Sequence, residues 1–301
     1  MMYDVIILGS GPAGLTAAIY CGRANKNTLV MGGDTLGGQT AGIATLENYP
    51  GWRGSGFELI EFMRSQAESF GAKIAMKTAA HIENGANNTF VITDTHGDKY
   101  DTRSIILATG ASPRKLEIAG AREFFGRGVS YCATCDGFFF TDKTVLVIGG
   151  GNSALNDALY LADIAKTVKI IYRKASFTRA EEILRDRVAA KDNIECVFNT
   201  ELKSIAARPN STDGELIATT TNDEQIICDG IFVAIGHEAN TDYLTEDIKR
   251  DDMGRIAPES LPAGMFIAGD VHSNIKMQIA TAVGTGCTAA MDAIAYLNKN
   301  T

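Results

Sequence analysis

No stretch of this 301-residue chain approaches the roughly 18 uninterrupted apolar residues of a membrane-spanning helix. The N-terminal run MMYDVIILGSGPAG has no basic segment and only a strand's length of apolar residues, so the expectation is a cytoplasmic protein without an export signal or a membrane partner. Positive charge is also scarce: 28 Lys and Arg stand against 36 Asp and Glu, a net charge of -8. Such a field repels nucleic acid and anionic lipid, and neither is expected as a partner. Low-complexity segments and long charge runs are missing, and 45% hydrophobic content supplies a substantial core, which excludes a disordered chain and suggests about two domains. The four histidines, His81, His96, His237 and His272, fall in no ligand spacing, so no metal site is expected from them.

Six cysteines are present, scattered and without a secretory signal, which argues against a disulfide scaffold. Cys21, Cys196, Cys228 and Cys287 stand alone in apolar or strand-like surroundings and read as small buried hydrophobes. Cys132 and Cys135 differ, because they form a CxxC pair in SYCATCDG. No second CxxC or nearby CxxH completes a tetrahedral zinc set around them. A pair at this spacing can close a small disulfide ring, and its lowered thiol pKa supplies a thiolate that attacks another disulfide. Asp136 is then a candidate acid for the departing thiolate, while an aspartate before glycine is also an ordinary turn residue.

Strand and helix signals alternate along the chain. YDVIILG runs into a glycine turn, LTAAIYCGRA has helical composition and NTLVMGG reads as a strand; TVLVIGGGNSALNDALYLADIAKTVKIIYRK repeats the series. This is the βαβ pattern of a doubly wound sheet. The predicted class is therefore α/β, with two Rossmann-like, three-layer dinucleotide-binding domains, the second inserted into the first. SIILATGASPRK and GIFVAIGHEANT each bring an apolar strand to a glycine, so two related halves are expected. The boundaries are placed at 1–113 for the first part of the outer domain, 114–242 for the inserted domain and 243–301 for the remainder. FELIEFMRSQAESFGA reads as a helix, FVITDT as part of a small antiparallel layer and Asn210–Glu215 as a surface turn; the tail reads as a strand, a loop and a helix closing on the first domain.

GSGPAG places Gly9, Gly11 and Gly14 between strand and helix, spaced for a tight turn, a close pyrophosphate approach and close helix packing. The acidic ribose ligand expected about 20 residues on is absent or displaced to Asp34. The GGQT turn, Gly37 to Thr40, offers further backbone donors near the same mouth. GGGNSA places Gly149, Gly151 and Ala154 in the GxGxxA variant. After the next strand come Tyr172, Arg173 and Lys174, then Arg179, where a carboxylate would select NAD; cations there suit the 2′-phosphate of NADP, or form a solvated basic loop.

Taken together, GSGPAG, GGQT, ENYPG, ATGASPRKL, CATCDGFFF, GGGNSA, IGHEANT, AGDV and GTGCTAAMDA resemble the low-molecular-weight thioredoxin reductases, over essentially the whole chain. CATCDGFFF alone is nearly family-specific. The resemblance implies a homodimeric flavoprotein whose first domain and tail hold FAD and whose inserted domain holds NADPH. Its dithiol shuttles electrons between flavin and a thioredoxin-like protein, and the family alternates two domain orientations to do so. Carried over by position, Gly9, Gly11, Gly14, Gln39, Asn48, Asp270 and Gln278 contact FAD. Gly149, Gly151, Asn152, Ser153, Ala154, Arg173, Lys174 and Arg179 serve NADPH. Cys135 is the sulfur nearer the flavin, Cys132 attacks the substrate disulfide, and Asp136 donates and accepts the proton.

Two departures bear on the donor. The family's HRR appears as Tyr172-Arg173-Lys174, with a one-residue insertion before Arg179, and its Arg-Gln-Ala appears as Met277-Gln278-Ile279. Both touch nucleotide recognition, so ferredoxin or a reduced deazaflavin stand beside NADPH as donors. Two other readings share the motifs: a flavin-dependent dithiol oxidase that delivers electrons to oxygen, and a flavin-bound redox sensor.

Overall fold

The structure is a computed structural model that describes residues 2–43, 45–209, 211 and 214–300. It divides into two compact units. One comprises the chain through Ser112 and from Glu238 onward; the other is Pro113–His237. The chain leaves the first unit one residue before the expected boundary and returns at Glu238, ahead of the expected residue 243.

At the centre of the first unit lies the strand Met2–Leu8, parallel to Thr28–Met31 on one side and Lys99–Leu107 on the other. Lys73–Ala75 continues the parallel sheet beyond Thr28–Met31, and Met265–Ile267 pairs with the end of Lys99–Leu107. The start of Lys99–Leu107 also joins an antiparallel layer made with Phe90–Asp94 and Ala79–Asn84. Val5, Ile6, Ile7 and Leu8 are buried on both faces, which is why a central parallel strand reads as an unbroken apolar run. The period of two still sorts them. Val5 and Ile7 meet Ala17 and Ala18 of the helix Pro12–Arg23 and Ala289 and Ala293 of the closing helix Ile279–Lys299. Ile6 and Leu8 face Ile92, Tyr243 and Ile256. Each such burial contributes about 2 kcal/mol, and the alanines let the two helices lie close to the sheet and to each other.

The helix expected at FELIEFMRSQAESFGA spans Gly56–Ser69. Ser55 accepts the Glu58 amide hydrogen while Glu58 accepts the Ser55 amide hydrogen, so two otherwise unpaired end groups are satisfied reciprocally.

The inserted unit repeats this construction. Its parallel strands run in the order Ile194–Phe198, Thr167–Tyr172, Thr144–Ile148, Gly230–Val233 and Val129–Ser130. Val145 and Val147 pack against Ala154, Leu155, Ala158 and Leu161 of the helix Asn152–Ala162. Leu146 and Ile148 pack on the opposite face against the antiparallel strands Leu202–Ala207, Leu216–Thr220 and Gln225–Cys228. Helix, parallel sheet and antiparallel layer are the three expected layers. The turn expected at Asn210–Glu215 lies partly outside the described residues, at Asn210, Thr212 and Asp213. Among the described residues no helix is long and apolar enough to cross a membrane.

Candidate active site

The inserted unit carries the cysteine pair. Ser130 ends the short strand Val129–Ser130, and the helical turn Ala133–Asp136 begins three residues later. Cys132 caps that turn and is joined to Cys135 by a disulfide, with their Cα atoms 5.3 Å apart. The Cys135 amide donates to Cys132 Sγ at 3.2 Å, an interaction that favours negative charge on this sulfur once the bond opens. Cys135 is exposed and Cys132 half-buried, so the attacking sulfur in the family scheme is here the more covered of the two. Asp136 is half-buried, and its Oδ2 accepts a hydrogen bond from Ser130 Oγ at 2.6 Å.

The three phenylalanines that follow do not share one environment. Phe140 turns inward and meets Phe232 edge to face at 5.3 Å. Phe138 and Phe139 are 77% and 71% exposed, an apolar pair left on the surface beside the disulfide. The sequence contains all three rings but does not show which one anchors the segment.

The other cysteines correct a sequence expectation. Cys21 and Cys228 are buried, and desolvation pushes each thiol up to about 12, which makes them inert. Cys196 and Cys287 are only partly buried. Cys196 still packs beside the core of the inserted unit, on the same face as Ile194 and Phe198, and Cys287 on the closing helix hydrogen-bonds Tyr20 and has its Sγ 3.9 Å from Met291 Sδ.

In the first unit, Gly9 has φ +111, and a Cβ there would stand 2.2 Å from the Ala108 carbonyl oxygen. No other residue type fits this turn. A Cβ on Gly14 would stand 1.9 Å from Gly9 O, so the third glycine serves helix packing. Gly11 caps the helix Pro12–Arg23 without a side-chain hydrogen bond, leaving amide hydrogens directed at the turn and suited to a diphosphate. Gln39 Nε2 donates to Ala111 O at 2.8 Å. Asn48 and Gln278, 230 residues apart, meet through a 3.1 Å hydrogen bond from Asn48 Nδ2 to Gln278 Oε1. The displaced acidic candidate, Asp34, instead accepts a hydrogen bond from Thr78 Oγ1 at 2.9 Å.

Asp270 lies in the short turn Gly269–Val271. Burial alone pushes its carboxyl up to about 6, and no hydrogen-bond donor among the described residues answers it. A half-buried, desolvated carboxylate lacking donors, near an uncapped helix start, fits a ligand bearing both hydroxyl groups and a diphosphate. FAD meets both requirements.

The second turn has the same geometry at its first glycine. Gly149 has φ +141, and a Cβ there would lie 2.2 Å from Ala234 O. Gly151 caps the helix Asn152–Ala162 without a side-chain hydrogen bond, and a Cβ on it would meet open space. Ala154 is wholly buried beneath the turn, so its contribution is packing. Ser153 is exposed. Asn152 is engaged by a residue that motif spacing did not identify: its Nδ2 donates to Glu181 Oε1 at 2.6 Å and its Oδ1 accepts the Glu181 amide hydrogen at 2.8 Å.

Arg173, Lys174 and Arg179 are all exposed, and no side-chain hydrogen bond or ion pair engages them among the described residues. Tyr172 does not join them, because it is 8% exposed and its ring passes beneath Gly150. It stacks on Phe177 at 5.7 Å, and Phe177 meets Phe198 edge to face at 5.0 Å. The departures at Tyr172 and near Phe177 therefore form one aromatic stack beneath the segment that carries the cations.

A redox pair of cysteines on one dinucleotide-type unit, in a chain whose other unit is built for a second dinucleotide, defines a nucleotide-dependent disulfide oxidoreductase. Comparison with known proteins agrees: residues 3–286 match the pyridine nucleotide-disulphide oxidoreductase family. The thioredoxin reductase of Rickettsia conorii is 41% identical over 98% of both chains. In Mycobacterium leprae, a bifunctional thioredoxin reductase/thioredoxin is 39% identical over 99% of this chain and 67% of its own length. The Lactococcus lactis thioredoxin reductase structure in its FR conformation aligns with a TM-score of 0.90 at 36% identity over 99% of both chains. The chain belongs to the thioredoxin reductases of the pyridine nucleotide-disulphide oxidoreductase family, flavoenzymes that depend on FAD and use NADPH.

Proposed function

We propose that this chain moves electrons from NADPH, by way of bound FAD, to the Cys132–Cys135 pair and from there to the disulfide of a thioredoxin. The observation that carries the reading is the placement of the disulfide: it lies on the inserted unit, beside two exposed phenylalanines that offer a protein, rather than a small solute, an apolar surface to dock on. The Mycobacterium leprae relative, with reductase and thioredoxin in one chain, supports that partner.

FAD, when bound, accepts a hydride from a nicotinamide and returns two electrons to a disulfide. Gly9, Gly11, Gly14 and the helix start at Pro12 would hold its diphosphate, and Asp270, Gln39, Asn48 and Gln278 would address its hydroxyl and ring groups. The Gly149–Ala154 turn would hold the NADPH diphosphate, and Arg173, Lys174 and Arg179 its 2′-phosphate. The absence of a carboxylate at the end of Thr167–Tyr172 favours NADPH over NADH.

In the protein-disulfide step, Cys132 Sγ bonds to one substrate sulfur and the substrate S–S bond breaks. The departing thiolate takes a proton from Asp136. Cys135 then loses its proton and bonds to Cys132 Sγ, releasing the second substrate thiolate, which takes that proton. Two electrons and two protons pass to the substrate and the enzyme disulfide is restored. The contact from the Cys135 amide to Cys132 Sγ supports Cys132 as the attacking thiolate.

We further propose a homodimer working in the cytoplasm, which sedimentation and fractionation test directly. The donor is tested by anaerobic flavin bleaching with NADPH, NADH, reduced ferredoxin and reduced deazaflavin in parallel. Bleaching by NADPH at the lowest concentration is expected. Bleaching only by ferredoxin or deazaflavin would replace the donor, and peroxide formed in step with thiol consumption would indicate an oxidase instead.

A further inference from the structure

Beneath the dithiol sits a buried hydroxyl that the chemistry above does not use. Ser130 is 4% exposed and is fixed by the pairing of its strand with Gly230–Val233. Its Oγ accepts the Cys132 amide hydrogen at 3.0 Å. With its one proton it reaches Asp136 Oδ2 at 2.6 Å, while its alternative acceptor, Cys132 O, lies at 3.3 Å. The shorter, charge-assisted bond is the stronger. One hydroxyl thus connects the carboxylate to the backbone of the attacking cysteine, and does so from the sheet rather than from the mobile end of a side chain.

We propose that Ser130 is a positioning residue for disulfide exchange: it holds one oxygen of Asp136 so that the other stays in register with the sulfurs for proton transfer. The proposal rests on Asp136 being the proton donor, as set out above. Asp136 has two side-chain torsions, and on a four-residue helical turn little else fixes its direction. A carboxylic acid displaced by about 1 Å transfers its proton far less effectively, with losses of about 100-fold for misplacements of that size. Ser130 removes that freedom.

The test exploits the leaving group. A departing alkyl thiolate is basic and gains from protonation, whereas a nitro-substituted aryl thiolate leaves readily without it. FAD-loaded enzyme is reduced with dithionite under argon. Its reoxidation is then timed with hydroxyethyl disulfide and with dithiobis-nitrobenzoate, for the native protein and for the Ser130→Ala, Ser130→Thr, Ser130→Val and Asp136→Asn variants. Ser130→Ala should slow the alkyl reaction by about 10- to 100-fold and leave the aryl reaction unchanged. Ser130→Thr, which keeps the hydroxyl, should restore the alkyl rate, and the isosteric Ser130→Val should not. If Ser130→Ala fails to retain flavin, the Thr and Val pair decides alone, since the two differ only in a hydroxyl against a methyl group.

Equal slowing of both disulfides would make Ser130 merely structural and overturn the proposal. So would native behaviour of the Val variant. The Asp136→Asn protein separates the two levels. If it loses the alkyl reaction while the Ser130 variants do not, only the role of Ser130 falls. If it reduces the alkyl disulfide at the native rate, Asp136 is not the donor and both readings fall.

Discussion

The two glycine turns solve one steric problem and diverge at the next. At Gly9 and at Gly149 the carbonyl just past the end of a neighbouring strand, Ala108 O or Ala234 O, would stand 2.2 Å from an added Cβ, so the first position is closed in both units. At the third position they part. Gly14 lies under Gly9 O, where a Cβ would be 1.9 Å away, whereas Ala154 already carries a Cβ in the second turn and is wholly buried. The first helix therefore packs more tightly against its strand than the second. Past the turns the divergence is chemical: one unit holds a half-buried, desolvated carboxylate at Asp270, and the other holds exposed cations at Arg173, Lys174 and Arg179. A shared turn thus sits in two different chemical environments.

The largest effects should come from the closed positions. Gly9→Ala and Gly149→Ala each combine a positive φ with a clash against a backbone oxygen, and each should destabilise its unit by about 3 kcal/mol or more. Flavin content should fall in the first, while the second should keep flavin and lose bleaching by NADPH; identical phenotypes would remove the division of labour between the units. At the third positions, Gly14→Ala should cost about 2–3 kcal/mol and Ala154→Gly only about 1 kcal/mol, read from urea unfolding. Equal costs would mean that the two helices pack alike.

Asp270 offers a pH-dependent contrast. Its carboxyl is raised to about 6 in the folded protein, so below the ordinary carboxylate range both folded and unfolded forms are protonated and the site is neutral to stability. As pH rises from about 4 toward 6 the unfolded chain ionises first, and the folded state becomes progressively disfavoured until the effect is complete above 6. Asp270→Asn should therefore stabilise the flavin-free protein by about 2 kcal/mol at pH 8 and leave it unchanged at pH 3.5, while weakening FAD retention. A stabilisation present at both pH values would show that packing, not ionisation, is responsible. The smallest effect belongs to the exposed cations: Arg173→Ala with Lys174→Ala should raise KM for NADPH about tenfold, worth about 1.4 kcal/mol, and leave that for NADH unchanged.

The first glycines, the cysteine pair and the strand alternation were legible because their constraints are local: a positive φ, a short ring, a period of two. Val5, Ile6, Ile7 and Leu8 read only as one apolar run, and which pair faces which layer emerged from the structure. The Asn152–Glu181 pair, the Tyr172–Phe177–Phe198 stack and the Ser130–Asp136 contact were not legible either, because each joins side chains whose meeting depends on how a loop is laid over a sheet. Arg173 and Lys174 were visible as charges, but the stacking of Tyr172 on Phe177 to either side of them in the chain was not. Cys196 and Cys287 were expected to be buried and are only partly so, since composition predicts an apolar neighbourhood and not how completely it encloses a side chain. The Asn48–Gln278 contact spans 230 residues, and only the resemblance placed both residues at one ligand.

In the proposed route, electrons reach a protein disulfide through Cys132. It is tested most directly by mixing dithionite-reduced, FAD-loaded Cys132→Ser enzyme anaerobically with oxidised thioredoxin and following flavin reoxidation, which removes the identity of the donor from the measurement. Full flavin content is expected, with a reoxidation rate at least about 1,000-fold below native, in the range seen when a catalytic nucleophile is removed. Reoxidation by thioredoxin at the native rate would contradict that route.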